Sequence, residues 1–159
     1  MPNTPVSICE GATALVTSRH TTKPERDSVI GLFRIFSSCV EILAEEELLD
    51  VVAAISGSGP AYIFQFYKSL VEIGNELGLP KSLAHSLVLQ TGVGSGLLAK
   101  HDPTISFDEM IENVCVPGGS TEKGMKSLKD AGFDVAIRNG VRSSLRANKA
   151  MGVESPLSC

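Results

Sequence analysis

The chain has no tryptophan, and aromatic residues make up only 5% of its 159 residues. That disfavours an aromatic-rich all-β domain and points to closely packed helices. Cysteine is sparse and scattered at Cys9, Cys39, Cys115 and Cys159. No C-x-x-C pair occurs, so neither a thioredoxin-like motif nor a cysteine zinc site is supported, and free thiols in a reducing cytoplasm are expected. Positive charge is not in excess: the net charge is -4, which removes the basic footprint that nucleic-acid binding requires. Long apolar runs are also missing. Val51–Tyr67 is interrupted by Ser56-Gly57-Ser58-Gly59-Pro60, and Ser82–Ala99 carries His85 and Gln90. A membrane-spanning helix wants about 20 mostly apolar residues, so these stretches read as buried helices, with no membrane partner. The start, Met1-Pro2-Asn3-Thr4-Pro5, has no basic region leading into an apolar run, so it is not expected to act as a signal peptide. His20, His85 and His101 have no partners at metal-ligand or catalytic-triad spacing, so no metal site is expected.

What is present is an ordinary globular composition, 43% hydrophobic and 20% charged. The fold expected is mainly α, preceded by a small strand–helix–strand piece. Ala12–Thr17 reads as a strand. Pro24 opens a helix with Glu25 and Asp27 in its first turn, and Val29, Leu32, Phe33 and Phe36 form its apolar face. Val40–Leu43 reads as a second strand. Parallel strands normally belong to a larger doubly wound unit, so residues 1–46 look like the end of an α/β domain whose beginning is missing. Residues 47–152 read as helical and 153–159 as a frayed tail. Pro60 predicts a kink or break, because it lacks an amide proton and clashes with the preceding turn. Gly78 and Pro80 separate two helices. Leu83, Ala84, Leu87, Val88 and Thr91 share a face of the second. Gly92, Gly94 and Gly96 near its end suggest close approach of another backbone. Ser106 with Glu109 fits a capping box for a helix over Phe107–Val114. A helix from Thr121 to Asp130 closes near Gly132. Asp134 is a candidate cap for a last helix in which Ile137, Val141 and Leu145 recur every four residues and Arg138, Arg142, Arg146 and Lys149 form the outer face.

One segment stands out for chemistry. In Val116-Pro117-Gly118-Gly119-Ser120-Thr121 the glycines let backbone approach a ligand. The following helix offers unpaired amides and the positive end of its dipole, and Ser120 and Thr121 add hydroxyls. Two readings stay open: a cradle for a small carboxylate or phosphate, or simple capping by Ser120 or Thr121. Ser56–Pro60 is likewise either a packing kink or a broken helix facing a ligand. The glycines at 92, 94 and 96 are wrongly spaced and wrongly placed for a dinucleotide fingerprint.

In order and spacing, several pieces resemble the pyrroline-5-carboxylate reductase family. They are Met1-Pro2-Asn3-Thr4-Pro5, Glu10-Gly11-Ala12-Thr13-Ala14-Leu15, Ile55-Ser56-Gly57-Ser58-Gly59-Pro60-Ala61-Tyr62, Gly78-Leu79-Pro80, Gln90-Thr91 and Pro117-Gly118-Gly119-Ser120-Thr121. The resemblance implies reduction of L-1-pyrroline-5-carboxylate to L-proline with NADPH or NADH. It also implies the last portion of a Rossmann-type domain followed by a helical dimerisation domain, and a homodimer or larger homo-oligomer with interlocked helices. Matching position by position, it makes Thr121 the residue contacting the substrate's ring nitrogen. It makes Gly119 and Ser120 the holders of the carboxylate, counts Gly118 and Val116 with them in the substrate site, and places Met1, Asn3 and Thr4 beside the nicotinamide. The family's glycine-rich fingerprint is absent, so the cofactor pocket is incomplete and the chain is expected to be nearly inactive alone. Two departures bear on substrate affinity. Val116 stands where the family usually has Ser, and Ile111 where it tends to have Arg or Lys. The rival reading is a non-catalytic helical interaction fragment.

Overall fold

A computed structural model describes residues 1–154. Its elements, in chain order, are a 3₁₀ turn (Thr4–Ile8), β1 (Gly11–Val16), α1 (Lys23–Phe33), β2 (Ser37–Leu43), α2 (Leu48–Val52), a π-turn (Ala53–Gly57), α3 (Gly59–Glu76), α4 (Lys81–His101), α5 (Phe107–Val114), α6 (Ser120–Asp130) and α7 (Phe133–Glu154). The chain divides into two compact units. One holds Met1–Ile63 and the chain from Arg138 on; the other holds Phe64–Ile137.

In the first unit β1 and β2 pair in parallel, in register from Ala12 opposite Cys39 to Val16 opposite Leu43. Parallel neighbours need a crossover, which α1 supplies. α1 starts where a capping box forms: Glu25 N donates to Thr22 Oγ1 at 3.4 Å, and Thr22 N donates to Glu25 Oε2 at 2.8 Å. α1 ends at Phe33, so Phe36 is not on its apolar face. Phe36 lies in the turn beyond and meets Phe33 edge-on, with ring centroids 5.3 Å apart. The strands start earlier than expected, at Gly11 and Ser37, because Thr13 Oγ1 and Ser37 Oγ share a buried hydrogen bond of 2.7 Å that secures their beginnings. The other edge of β1 is taken by Met1–Asn3: Asn3 N donates to Ala12 O at 3.2 Å and Ala14 N to Met1 O at 3.0 Å.

The break expected at Pro60 is a π-turn. Ser58 N donates to Ala53 O at 2.8 Å, five residues back. Carbonyls released from the ladder nearby find partners in side chains: Tyr62 Oη donates to Ala54 O at 3.4 Å and Asn148 Nδ2 to Asp50 O at 3.2 Å. Ser58 and Ser144 share a hydroxyl hydrogen bond of 3.0 Å, so α7 is held to this unit at two levels. On α7 the inner face is half-buried at Val141, Ser144, Leu145 and Asn148, while Arg138, Arg142, Arg146 and Lys149 are exposed. α7 starts at Phe133, which puts Asp134 inside the first turn rather than at the cap. The helix runs on through Val153 and Glu154, where a frayed tail was expected; residues 155–159, including Cys159, lie outside the described residues.

In the second unit α3 closes in a Schellman motif. Gly78 takes φ +99°, Gly78 N donates to Asn75 O at 3.1 Å and Leu79 N to Gly74 O at 2.9 Å. Pro80 then caps α4. Close contact of α3 with α4 is made by small residues: a methyl group on Gly74 would stand 3.3 Å from Ala84 Cβ, and Ala84 is buried. At Gly92 the close neighbour is the Tyr67 side chain rather than another backbone, and Gly94 and Gly96 face open space. The face read as core on α4 is largely bare, with Leu83 45% and Leu87 52% exposed. Ser106 Oγ accepts Glu109 N at 3.2 Å and starts α5 as expected. No helix among the described residues is long and apolar enough to cross a membrane.

Candidate functional site

The Val116–Thr121 segment links α5 to α6. α5 stops at Cys115, and the chain turns at once: Gly119 N donates to Val116 O at 2.8 Å across a turn in which Gly118 takes φ +75°. That left-handed conformation strongly favours glycine. Gly119 is also constrained, since a Cβ there would stand 2.8 Å from Val116 O. Both glycines are thus required by the turn itself.

Gly119, not Ser120 or Thr121, is the N-cap of α6, and no side chain caps the helix. The amides of Ser120, Thr121 and Glu122 open α6 at the positive end of its dipole. Ser120 and Thr121 are exposed and their hydroxyls are not used for capping. Of the two readings left open by the sequence, hydroxyl capping is therefore removed. What remains is an exposed set of backbone donors with two hydroxyls beside them, suited to a small anion. Val116 is 68% exposed beside the turn and offers only methyl groups. Ile111, on α5, is 42% exposed.

One participant escaped the sequence reading. Glu122 Oε2 accepts the Gly118 amide proton at 2.7 Å. A carboxylate of the chain itself thus stands at the mouth of the turn. The available signal was an acidic residue at the third helical position, the place from which a side chain reaches back to a preceding amide.

Met1, Asn3 and Thr4 lie in the first unit. The Met1 ammonium donates to Ala14 O at 2.8 Å, and partial burial holds its pKa below the usual value. Asn3 is half-buried and spends both ends of its carboxamide within the chain, accepting from Ala12 N at 2.9 Å and donating to Ser56 O at 3.3 Å. Thr4 is exposed and begins the 3₁₀ turn. Among the described residues no cluster of His, Cys, Asp and Glu has the arrangement of a metal site.

Comparison with known proteins bears on this geometry. A family model described as pyrroline-5-carboxylate reductase dimerisation matches residues 46–151. A delta-1-pyrroline-5-carboxylate reductase of Gibberella fujikuroi is 42% identical over 154 residues, covering 97% of this chain and 52% of the relative. A pyrroline-5-carboxylate reductase of Synechocystis is 33% identical over 152 residues, covering 96% of this chain and 56% of the relative. Among solved structures, a pyrroline-5-carboxylate reductase of Coxiella burnetii superposes with a TM-score of 0.90 at 31% identity, covering 94% of this chain and 55% of that one. A Plasmodium falciparum pyrroline carboxylate reductase, solved with NADP bound, gives 0.85 at 32% identity, covering 96% and 61%. The chain spans about half the length of the curated relatives it matches. The family match covers the Ser56–Pro60 break, the Pro117–Thr121 turn and the helices around them, and the chain belongs to the pyrroline-5-carboxylate reductase dimerisation family.

Proposed function

We propose that this chain supplies the substrate-holding, dimer-forming half of a reductase that converts L-1-pyrroline-5-carboxylate to L-proline in the cytoplasm. The observation that carries the reading is the uncapped start of α6, where the Ser120, Thr121 and Glu122 amides follow two glycines the turn requires. Such a terminus suits one carboxylate. Gly118, Gly119 and Ser120 are assigned to that carboxylate site: Ser120 offers a free amide, while Gly118 and Gly119, whose own amides are held by Glu122 and Val116, shape the turn that presents it, with the Val116 methyl groups against the ring. Residues 1–46 are taken as the end of the nucleotide-binding domain and 47–152 as the dimerisation domain.

The reaction adds a hydride to the carbon of a C=N bond and a proton to its nitrogen. The Thr121 hydroxyl is assigned to the ring nitrogen, where it can accept a hydrogen bond from a protonated imine and donate one to the amine product. Holding the carboxylate at one point and the nitrogen at another fixes which ring face is open to the hydride, so the chain's contribution is orientation. No general-base histidine is needed.

In such a reduction NADPH or NADH supplies the hydride. The residues described here do not fit the whole nucleotide: no glycine-rich turn joins a strand to a helix N-terminus, and the β1–α1 connection contains no glycine. Met1, Asn3 and Thr4 are assigned only to the nicotinamide edge. The extensive bare apolar surface on α4 supports a homodimer, in which a second copy covers Leu87, Val93, Leu97 and Leu98.

The test is an NMR titration of the whole chain with L-proline, using acetate as an anion-only control. The amides of Ser120, Thr121 and Glu122 are expected to shift with both, and proline is expected to bind more tightly. Thr121→Val should weaken proline about fivefold, the worth of one hydrogen bond, and leave acetate unchanged. Proline shifts elsewhere, with none at these amides, would overturn the reading.

A further inference from the structure

Pro60 leaves a gap in the backbone ladder. In an α-helical ladder the Ser56 carbonyl would accept the amide four residues on, and Pro60 has none. The next amide, that of Ala61, donates instead to Ser58 O at 3.0 Å. Ser56 O is met from outside the helix: Asn3 Nδ2 donates to it at 3.3 Å and lies 3.5 Å from Ser56 Oγ. The opposite end of the same carboxamide accepts Ala12 N at 2.9 Å. A side-chain amide has a donor end and an acceptor end, and here each has a backbone partner, so its orientation is fixed.

We propose that Asn3 is a positioning residue: it supplies the hydrogen bond that Pro60 cannot, and so ties the helix break at Ala53–Gly57 to β1. This rests on the reading above only in taking Met1–Thr4 as the nicotinamide edge. Asn3 then shapes that edge through Ser56 and Ala12 rather than by ligating the nucleotide. The sequence holds both partners of the device, an asparagine beside the strand and a proline after the broken helix, although they are far apart in the chain.

The test is amide hydrogen exchange by NMR on the whole chain, read at Ser58, whose amide makes the π-turn hydrogen bond. Asn3→Asp keeps an oxygen for Ala12 N and loses the donor for Ser56. It should speed Ser58 exchange about tenfold, as expected when an acceptor loses its partner. Pro60→Ala restores an amide proton within reach of Ser56 O, and in that background Asn3→Asp should change Ser58 exchange less than about threefold. Equal acceleration in both backgrounds would overturn the proposal. Should the aspartate variant not fold, the unsubstituted chain still decides. One Asn3 side-chain amide proton should exchange at least about tenfold more slowly than in a free asparagine, and exchange at the free rate removes the contact. These readouts do not depend on proline, so either reading can fail while the other stands.

Discussion

Glu122 reaches back one helical turn and its Oε2 accepts the Gly118 amide proton at 2.7 Å, so the α6 terminus already has a carboxylate of its own. The contact steadies a left-handed glycine and offsets part of the helix dipole. It also places negative charge where an incoming carboxylate would settle.

Glu122→Gln removes that charge while keeping an oxygen for Gly118. Affinity for L-proline and for acetate should rise about two- to fivefold, the scale of a surface charge acting on a helix terminus. Isothermal titration calorimetry at low salt measures it, and the gain should shrink in high salt. A weaker affinity for both anions would mean that Glu122 organises the turn more than it repels the ligand.

The glycines of α4 should separate by environment. A methyl group on Gly92 would collide with the Tyr67 hydroxyl and ring, so Gly92→Ala should cost about 1–3 kcal/mol in thermal or denaturant unfolding. A methyl group on Gly94 or Gly96 meets nothing within 4 Å in the single chain. There, alanine should favour the isolated helix by up to about 1 kcal/mol. If a second copy covers α4, Gly94→Ala should instead raise the dimer dissociation constant about tenfold through overpacking. Sedimentation equilibrium decides it: undiminished dimerisation would place the interface elsewhere.

Acid should loosen α1 in a defined direction. The Thr22 hydroxyl, and next the Thr22 backbone amide, donate to Glu25 and hold its carboxyl below the ordinary 4.5. A carboxyl lowered in the folded state adds stability that is complete above its unfolded pKa and is lost as pH falls through the folded value. Amide protection at the start of α1 should therefore hold from pH 7 to about 5 and fall below 4.5. In Thr22→Ala this acid step should be smaller.

Residues that act through backbone chemistry could be read from the sequence. Pro60 marked the break, Gly78 and Pro80 the α3–α4 turn, Ser106 the start of α5, and Gly118-Gly119 the turn before α6. Each restricts φ or supplies a cap, and those effects are local. Features set by distant partners were not legible. The start of β2 depends on Thr13 meeting Ser37, the π-turn on Asn3, Tyr62 and Asn148, and the fate of the Gly118 amide on the rotamer of Glu122. The apolar periodicity of α4 located the helix correctly but not its cover: Ala84 is buried while Leu97 and Leu98 are 60% and 67% exposed. Periodicity tells which residues share a face, not what that face meets.

The hydrogen bonds joining Ser58 to Ser144 and Asp50 to Asn148 bridge sequence separations of 86 and 98 residues. A unit built from segments on either side of Phe64–Ile137 is completed only after Arg138 and the residues that follow it have been synthesised. The middle stretch, Phe64–Ile137, emerges earlier and can gather its own helices first. Translation order thus places β1 and β2 well before the α7 residues that complete their unit, so in the nascent chain that unit waits for its late segment.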